Sequence, residues 1–331
     1  MALFDFLKKN KEAPPNAQGM VQGAVVLPIG KTQVEEAYKT LLEYKKGKAN
    51  LEQKIIDNEQ WFKMRHWECM RDAKKDIQPA SAWLFNCIAN KHADAMDNFP
   101  SPNILPREEG DKGEAEMLTS IVPVILDQND FEQTYSDTAY YKLKMGGSAY
   151  GAFWEAAKLN GLGDISIKKI DLLNLFWEPG ITDIQKSRNV FSVELWDNDL
   201  LVGSYPQLTG KLGGSALDIS EYVYDDTVDT SKKSAVIDWY YKKNQNGRTV
   251  LHYCKFVNNE VLIATENDIE PMVNKMGEMI RPPMAETGLY DHGEYPFVID
   301  VLYPIEGSPI GFGYIDIGKD PQTYIDRGNQ A

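Results

Sequence analysis

FEQTYSDTAYYKLKMGGSAYGAFWEAA, residues 131–157, contains the point at which the chain changes its hydrophobic period. Residues 131–144 read as a helix, and Gly146-Gly147 stops it, because glycine is the residue that most readily takes the left-handed turn at a helix end. Ser148–Ala157 then reads as a strand. A turn at Asn160-Gly161-Leu162-Gly163 joins it to a second strand, Ile165–Ile170. Helices gather before this point and strands after it, which predicts an α+β fold.

Working upstream, residues 10–30 carry Pro14-Pro15, Gly19, Gly23 and Pro28 with no sustained period, so residues 1–30 read as a mobile N-terminal arm. From Thr32 the apolar residues Val34, Tyr38, Leu41 and Leu42 recur at three and four, with Thr32 as N-cap and Glu35 three residues on. Gly47 is expected to interrupt this helix, and a second is expected from about Asn50 to Arg65. Pro79 and Ser81 open a clearer helix whose pairs Trp83/Leu84, Cys87/Ile88, Lys91/His92 and Ala95/Met96 repeat every four residues, until Pro100-Ser101-Pro102 closes it. Residues 114–126 give one more.

Downstream, Leu172–Trp177 leads to the turn Glu178-Pro179-Gly180, and Val190–Trp196 is another strand. Residues 197–212 look helical, although Pro206 weakens that reading. Ala235–Tyr241, Val250–Val257 and Val261–Thr265 are short strands, the first two joined as a hairpin through Asn244-Gln245-Asn246-Gly247. Phe297–Tyr303 is a further strand, and Tyr314–Arg327 begins a helix.

The chain has 331 residues, 43% apolar and 25% charged, which is enough to bury one large core or two smaller ones and excludes disordered and collagen-like classes. Cys69, Cys87 and Cys254 are odd in number and widely spaced, so they make no disulfide framework, and a reducing compartment is the simpler reading. No run of about twenty apolar residues suggests a membrane span. The charges of Lys8 and Lys9 follow the apolar start, the reverse of a secretory signal. Net charge is −14: residues 1–60 contribute +1, 61–213 contribute −6, 214–300 contribute −7 and 301–331 contribute −2. Such a chain is not expected to hold nucleic acid tightly, since phosphate binding needs Lys and Arg to displace counterions; an acidic wall could still surround nucleic acid without gripping it.

No catalytic constellation emerges. His66 and Cys69 lie three apart, but no second pair of ligands accompanies them, so metal is not expected there. His92 reads as a packed core residue. His252 and Cys254 could share a strand face, yet lack the partners of an activated nucleophile. Gly161-Leu162-Gly163 and Gly311-Phe312-Gly313 lack the third glycine of a dinucleotide fingerprint, and Gly146-Gly147-Ser148 ends a helix rather than cradling phosphate. Asp225, Asp226 and Asp229 read as a solvated acidic loop. The remaining signal is aromatic: Trp239-Tyr240-Tyr241 must divide between two faces of a strand, so at least one is expected to be exposed or to meet a partner.

Several of these elements, in order, resemble the portal proteins of tailed bacteriophages. They are the start Met1-Ala2-Leu3-Phe4-Asp5-Phe6-Leu7-Lys8-Lys9 with its arm, the segment Trp61–Arg71, and the helix Ala80–Phe99 running into Pro100-Ser101-Pro102-Asn103-Ile104. The helix-to-strand turn Gly146-Gly147-Ser148-Ala149-Tyr150-Gly151 and the element Ile170-Asp171-Leu172-Leu173-Asn174-Leu175-Phe176-Trp177-Glu178-Pro179 follow. Gly293-Glu294-Tyr295-Pro296-Phe297 and Gly307-Ser308-Pro309-Ile310-Gly311-Phe312-Gly313 come late, before Gln322, Tyr324, Ile325 and Asp326.

The resemblance implies a wing over residues 31–196, a first stem helix over 197–212, a strand-rich clip over 213–300 and the start of a second stem helix over 301–331. A portal chain normally continues beyond that point, so the stop at Ala331 suggests a truncated or divided one. It further implies a structural, non-enzymatic subunit of a ring, dodecameric in the family, in the virion at the portal vertex, assembled in the bacterial cytoplasm and without a cofactor. Its implied partners are other copies of itself, the terminase large subunit, a head–tail adaptor, capsid and scaffolding proteins, and double-stranded DNA passing through. The partner contacts expected in the clip-like module are Trp239, Tyr240, Tyr241, Asn258, Asn259 and Glu260. The other readings are a hydrolase using dispersed carboxylates, and a different virion or tail-adaptor protein.

Overall fold

One helix of 32 residues, Lys31–Phe62 (α1), runs where two were expected. Gly47 does not break it, because the Pro179 ring packs so closely there that a Cβ would lie 2.5 Å from Pro179 Cγ. The glycine is a packing accommodation inside a helix that tertiary contacts hold together. The start also differs from expectation. Gly30 is the N-cap, and its N–H donates to Gln33 Oε1 at 3.0 Å, in place of the Thr32–Glu35 pair.

The structure, a computed structural model, describes residues 28–70, 78–213, 231–245, 247–273 and 278–330. The expected mobile arm up to Leu27 and the acidic loop of Asp225, Asp226 and Asp229 lie outside the described residues. Three further helices follow α1: Trp83–Asp97 (α2), Lys112–Gln128 (α3) and Phe131–Met145 (α4). Gly146, at φ 88°, ends α4 in the left-handed turn read from the sequence.

The strands form two main sheets. Gly147–Glu155 (β1) pairs antiparallel with Asp164–Ile170 (β2) and with Phe297–Val301 (β10), giving the order β10-β1-β2. The larger sheet runs in simple sequence order through Leu175–Trp177 (β3), Asn189–Asp197 (β4), Lys233–Gln245 (β5), Arg248–Val257 (β6) and Glu260–Ala264 (β7). Its β5–β6 hairpin closes with Gln245 opposite Arg248, as the Asn-Gly turn predicts. A short ribbon, Met272–Val273 (β8) with Met279–Arg281 (β9), stands apart.

Both faces of the five-stranded sheet are covered. On one, Phe191, Val193, Ile237, Tyr241 and Phe256 pack against Val34, Ala37, Leu41 and Tyr44 of α1. On the other, Val190, Tyr240 and Leu251 meet Ala149, Ile170 and Phe297 of the smaller sheet, together with Tyr141 and Met145 of α4. The far end of that second face is capped by Leu201 and Leu208 on Val236 and Val257. Leu201 belongs to Asn198–Ser204 (α5), and Leu208 to a separate 3₁₀ turn, Pro206–Leu208.

This corrects the single stem-like helix expected over 197–212. Proline excludes its predecessor from the helical region, and Tyr205 turns out to φ −134°, ψ 81°. The expected wing and clip portions also share one sheet: β4 and β5 pair in continuous register from Asn189↔Tyr241 to Asp197↔Lys233. The last helix, Tyr314–Gln330 (α6), packs against α2, α4 and α1.

Candidate functional site

Trp239, Tyr240 and Tyr241 divide between the two faces of β5, as alternation requires. Neither face is free, so the expected exposure is corrected. The Tyr240 ring lies 5.0 Å from that of Tyr253 and edge-on to Phe297 at 5.2 Å. Trp239 stacks on Tyr241 at 4.1 Å and donates from its indole Nε1 to Asn189 Oδ1 at 2.9 Å. Tyr240 and Tyr241 are buried and Trp239 is half-buried. These aromatics hold the layers of the fold together rather than offering a surface.

Asn258, Asn259 and Glu260 sit together at the β6–β7 turn. Both asparagines take left-handed backbone, φ 47° and 64°, the conformation a two-residue hairpin loop needs. Glu260 is drawn inward by two cations, Lys31 Nζ at 2.6 Å and Lys211 Nζ at 3.0 Å, and its carboxyl is held below the usual range by those hydrogen bonds, Lys31 first. The three residues are thus brought together at a hairpin tip, well separated in role from the Trp239–Tyr241 stack.

The candidate chemical groups are occupied by structure. His66 lies on a 3₁₀ turn, His66–Glu68, rather than on the helix expected there. It is stacked on Trp61 at 4.3 Å, with Nε2 3.0 Å from Asp326 Oδ2. Burial lowers its pKa against the pull of Asp326. Cys69 is pushed up to about 11 by burial, so its thiol keeps its proton at neutral pH and is a poor nucleophile. His92 is half-buried, stacked on Tyr140 at 3.7 Å and within 3.0 Å of Ser136 Oγ.

His252 and Cys254 do share a buried face. The ring nitrogens of His252 meet Gln245 Nε2 at 3.0 Å and Thr265 Oγ1 at 3.2 Å. Burial raises Cys254 to about 12. Beside them the buried Glu266 accepts from Tyr241 Oη at 2.9 Å and pairs with Lys243. Among the described residues, no three His, Cys, Asp or Glu side chains are grouped to hold a metal ion, and no helix is long and apolar enough to cross a membrane.

Sequence reading missed Lys48. This lysine is buried inside the α1–sheet joint, donating to Leu172 O and, at 2.7 Å, to Leu175 O, with Nζ 4.3 Å from the Phe176 ring centroid. Burial pulls its pKa down to about 7, opposed by Glu52 and Asp171. The element Ile170–Pro179 therefore wraps α1: its carbonyls hold Lys48, and its proline fills the notch at Gly47. A lysine in mid-helix carries no sequence signal that it points inward.

Exposed apolar side chains supply the other surface. Met117, Leu118, Ile121 and Val124 of α3 are each 43–53% exposed, and Ala115 is the residue this helix buries. Trp83 and Phe85 on α2 are exposed as well. Among the described residues this leaves a contiguous apolar face with little cover.

A family model described as phage P22-like portal protein matches residues 93–295, which is 203 of the chain's 331 residues. The match runs from within α2 through α3, α4, the β1–β2 pair and the five-stranded sheet to Tyr295, two residues before β10, while α1 and α6 pack against it from outside. No curated protein matches the chain. With more than half its length matched and the α+β order in place, the chain belongs to the phage P22-like portal protein family.

Proposed function

We propose that this chain is a subunit of the portal ring, the assembly at one capsid vertex through which the phage genome enters and leaves. The observation that carries the reading is the family match over residues 93–295. A structural rather than enzymatic role is that of the family, and a place in the virion follows from it. The finer reading is a closed, dodecameric ring built from head-to-tail contacts between identical copies.

The net charge of −14 suits a conduit for DNA. A lining that repels phosphate lets the duplex slide, whereas a basic one would grip it through counterion release. The exposed apolar faces of α2 and α3 are the natural contacts between neighbouring copies. On the portal plan residues 31–196 form the wing and 213–300 the clip, here sharing one sheet. The terminase large subunit and later a head–tail adaptor dock at the clip, with Asn258, Asn259 and Glu260 as the contact residues retained from the sequence reading. Capsid and scaffolding proteins surround the wing.

Negative-stain imaging of the purified chain, with its solution mass from light scattering, tests the reading. Closed rings with a bore wide enough for duplex DNA are expected. A monomer at assembly concentrations, or a ring too narrow for a duplex, would overturn it.

A further inference from the structure

Between α2, α3 and α4 lies a groove of about 560 Å³. Its apolar floor includes Met96, Phe99, Leu126 and Phe131. Its charged lining residues are all acidic, Asp127, Asp130 and Glu132, with no Lys or Arg among the residues that line it. An occupant that fits is therefore apolar and basic together. A stretch of this chain outside the described residues has that chemistry: in Leu3–Lys11, Leu3, Phe4, Phe6 and Leu7 are apolar, and Lys8, Lys9 and Lys11 outweigh Asp5 to give +2.

We propose that the N-terminal segment Leu3–Lys11 docks in this groove. Leu3, Phe6 and Leu7 recur at three and four, so an apolar stripe can face Phe99, Leu126 and Phe131 while the lysines that follow meet the acidic rim. Length permits it. The chain is anchored at Ile29, whose N–H donates to Asn267 Oδ1 at 2.7 Å and whose carbonyl accepts from Asn267 Nδ2 at 3.1 Å. The intervening residues 12–28 can span up to about 55 Å, against about 48 Å for the length of α1, which runs from beside Ile29 to the α2 and α4 helices of the groove. The proposal concerns the single chain and does not depend on ring formation.

The test uses the full chain with Phe4→p-benzoylphenylalanine, photocrosslinked and mapped by mass spectrometry. Crosslinks to Met96, Phe99, Leu126 or Phe131 within one chain are expected; the same crosslinks found only between two copies, as covalent dimers, would overturn docking within the single chain. Crosslinks confined to other surfaces, such as the apolar β8–β9 ribbon of a second copy, would overturn the proposal. As a second readout, tryptic cleavage after Lys8 and Lys9 is followed in the wild-type chain and in Asp127→Lys/Glu132→Lys, both exposed positions. Docking predicts cleavage about fivefold faster in the variant, and faster in the wild type at high salt, where the charge attraction is screened. Equal rates in all three would sink the idea.

Discussion

Gln322 of α6 caps α2 across 238 residues of sequence: its Oε1 accepts from Leu84 N at 3.1 Å, while its Nε2 donates to Ser81 O at 2.7 Å. One turn further on, Asp326 accepts from the Ser81 backbone N–H at 2.9 Å and from the Ser81 hydroxyl. The amide donors at the start of α2 have no partner within their own helix, and α6 supplies it. Gln322→Ala is expected to cost about 1–2 kcal/mol, and Asp326→Ala, which also strips His66 of its carboxylate, about 2–3 kcal/mol. Denaturant midpoints measure both. Amide exchange at Leu84 should quicken in the Gln322 variant; unchanged protection there would refute the cap.

Acid should loosen the same joint. Burial lowers the pKa of His66 from its ordinary 6.5 despite Asp326, and of His252 despite Glu266. The unfolded chain therefore takes up protons near pH 6.5 that the folded chain refuses, and stability rises with pH through that window. It is fully present above 6.5 and is lost as the pH falls below it. Melting temperatures between pH 7.5 and 5 should drop, and less so in His66→Gln. A flat profile would show that neither imidazole is excluded from protonation.

Lys48 acts in a higher window with the same sign. Its pKa is about 7 in the fold and 10.5 in the free chain, so the unfolded chain binds more protons between those values. Stability should climb on the order of a few kcal/mol from pH 7 towards 10.5 and be level below 7. Urea midpoints at pH 7, 8 and 9 for the wild type and Lys48→Met provide the check, because the slope assigned to this amine must vanish in the variant.

Gly47 is tested by refilling its notch. Gly→Ala within a helix normally gains about 1 kcal/mol, while a Cβ forced against a packed ring costs about 1–3 kcal/mol. With the Pro179 ring 2.5 Å from the added Cβ, the packing loss should prevail, and Gly47→Ala should destabilise. In the background of Pro179→Ala the sign should reverse. Two losses that simply add would mean the notch is not shaped by the proline.

The order of elements was legible because each announces itself locally: the Gly146 stop, the hairpin at Gly247 and the four-residue stripe of α2 all depend on nearby residues. What stayed hidden depends on distant ones. Gly47 reads as a helix breaker until Pro179 is seen filling the space beside it. Tyr240 and Tyr241 had to part to opposite faces, but periodicity says nothing of α1 covering one face and the smaller sheet the other. Nothing near Lys48 or Asp326 in the sequence marks either as buried, since burial of a charge is decided by carbonyls and side chains more than a hundred residues away. Of the candidate contacts, the asparagine pair falls between two strands read from the sequence, whereas the exposure of α3 could be known only once its neighbours were placed.

The nine-residue register between β4 and β5 has a mechanical consequence. Residues 31–197 and 233–300 are joined by a hydrogen-bonded seam rather than by a hinge, so a push or twist applied to one portion is shared among many bonds and passed to the other as rigid displacement. Compliance then has to arise at the boundaries of this body, where α3 and the β8–β9 ribbon meet whatever lies beyond.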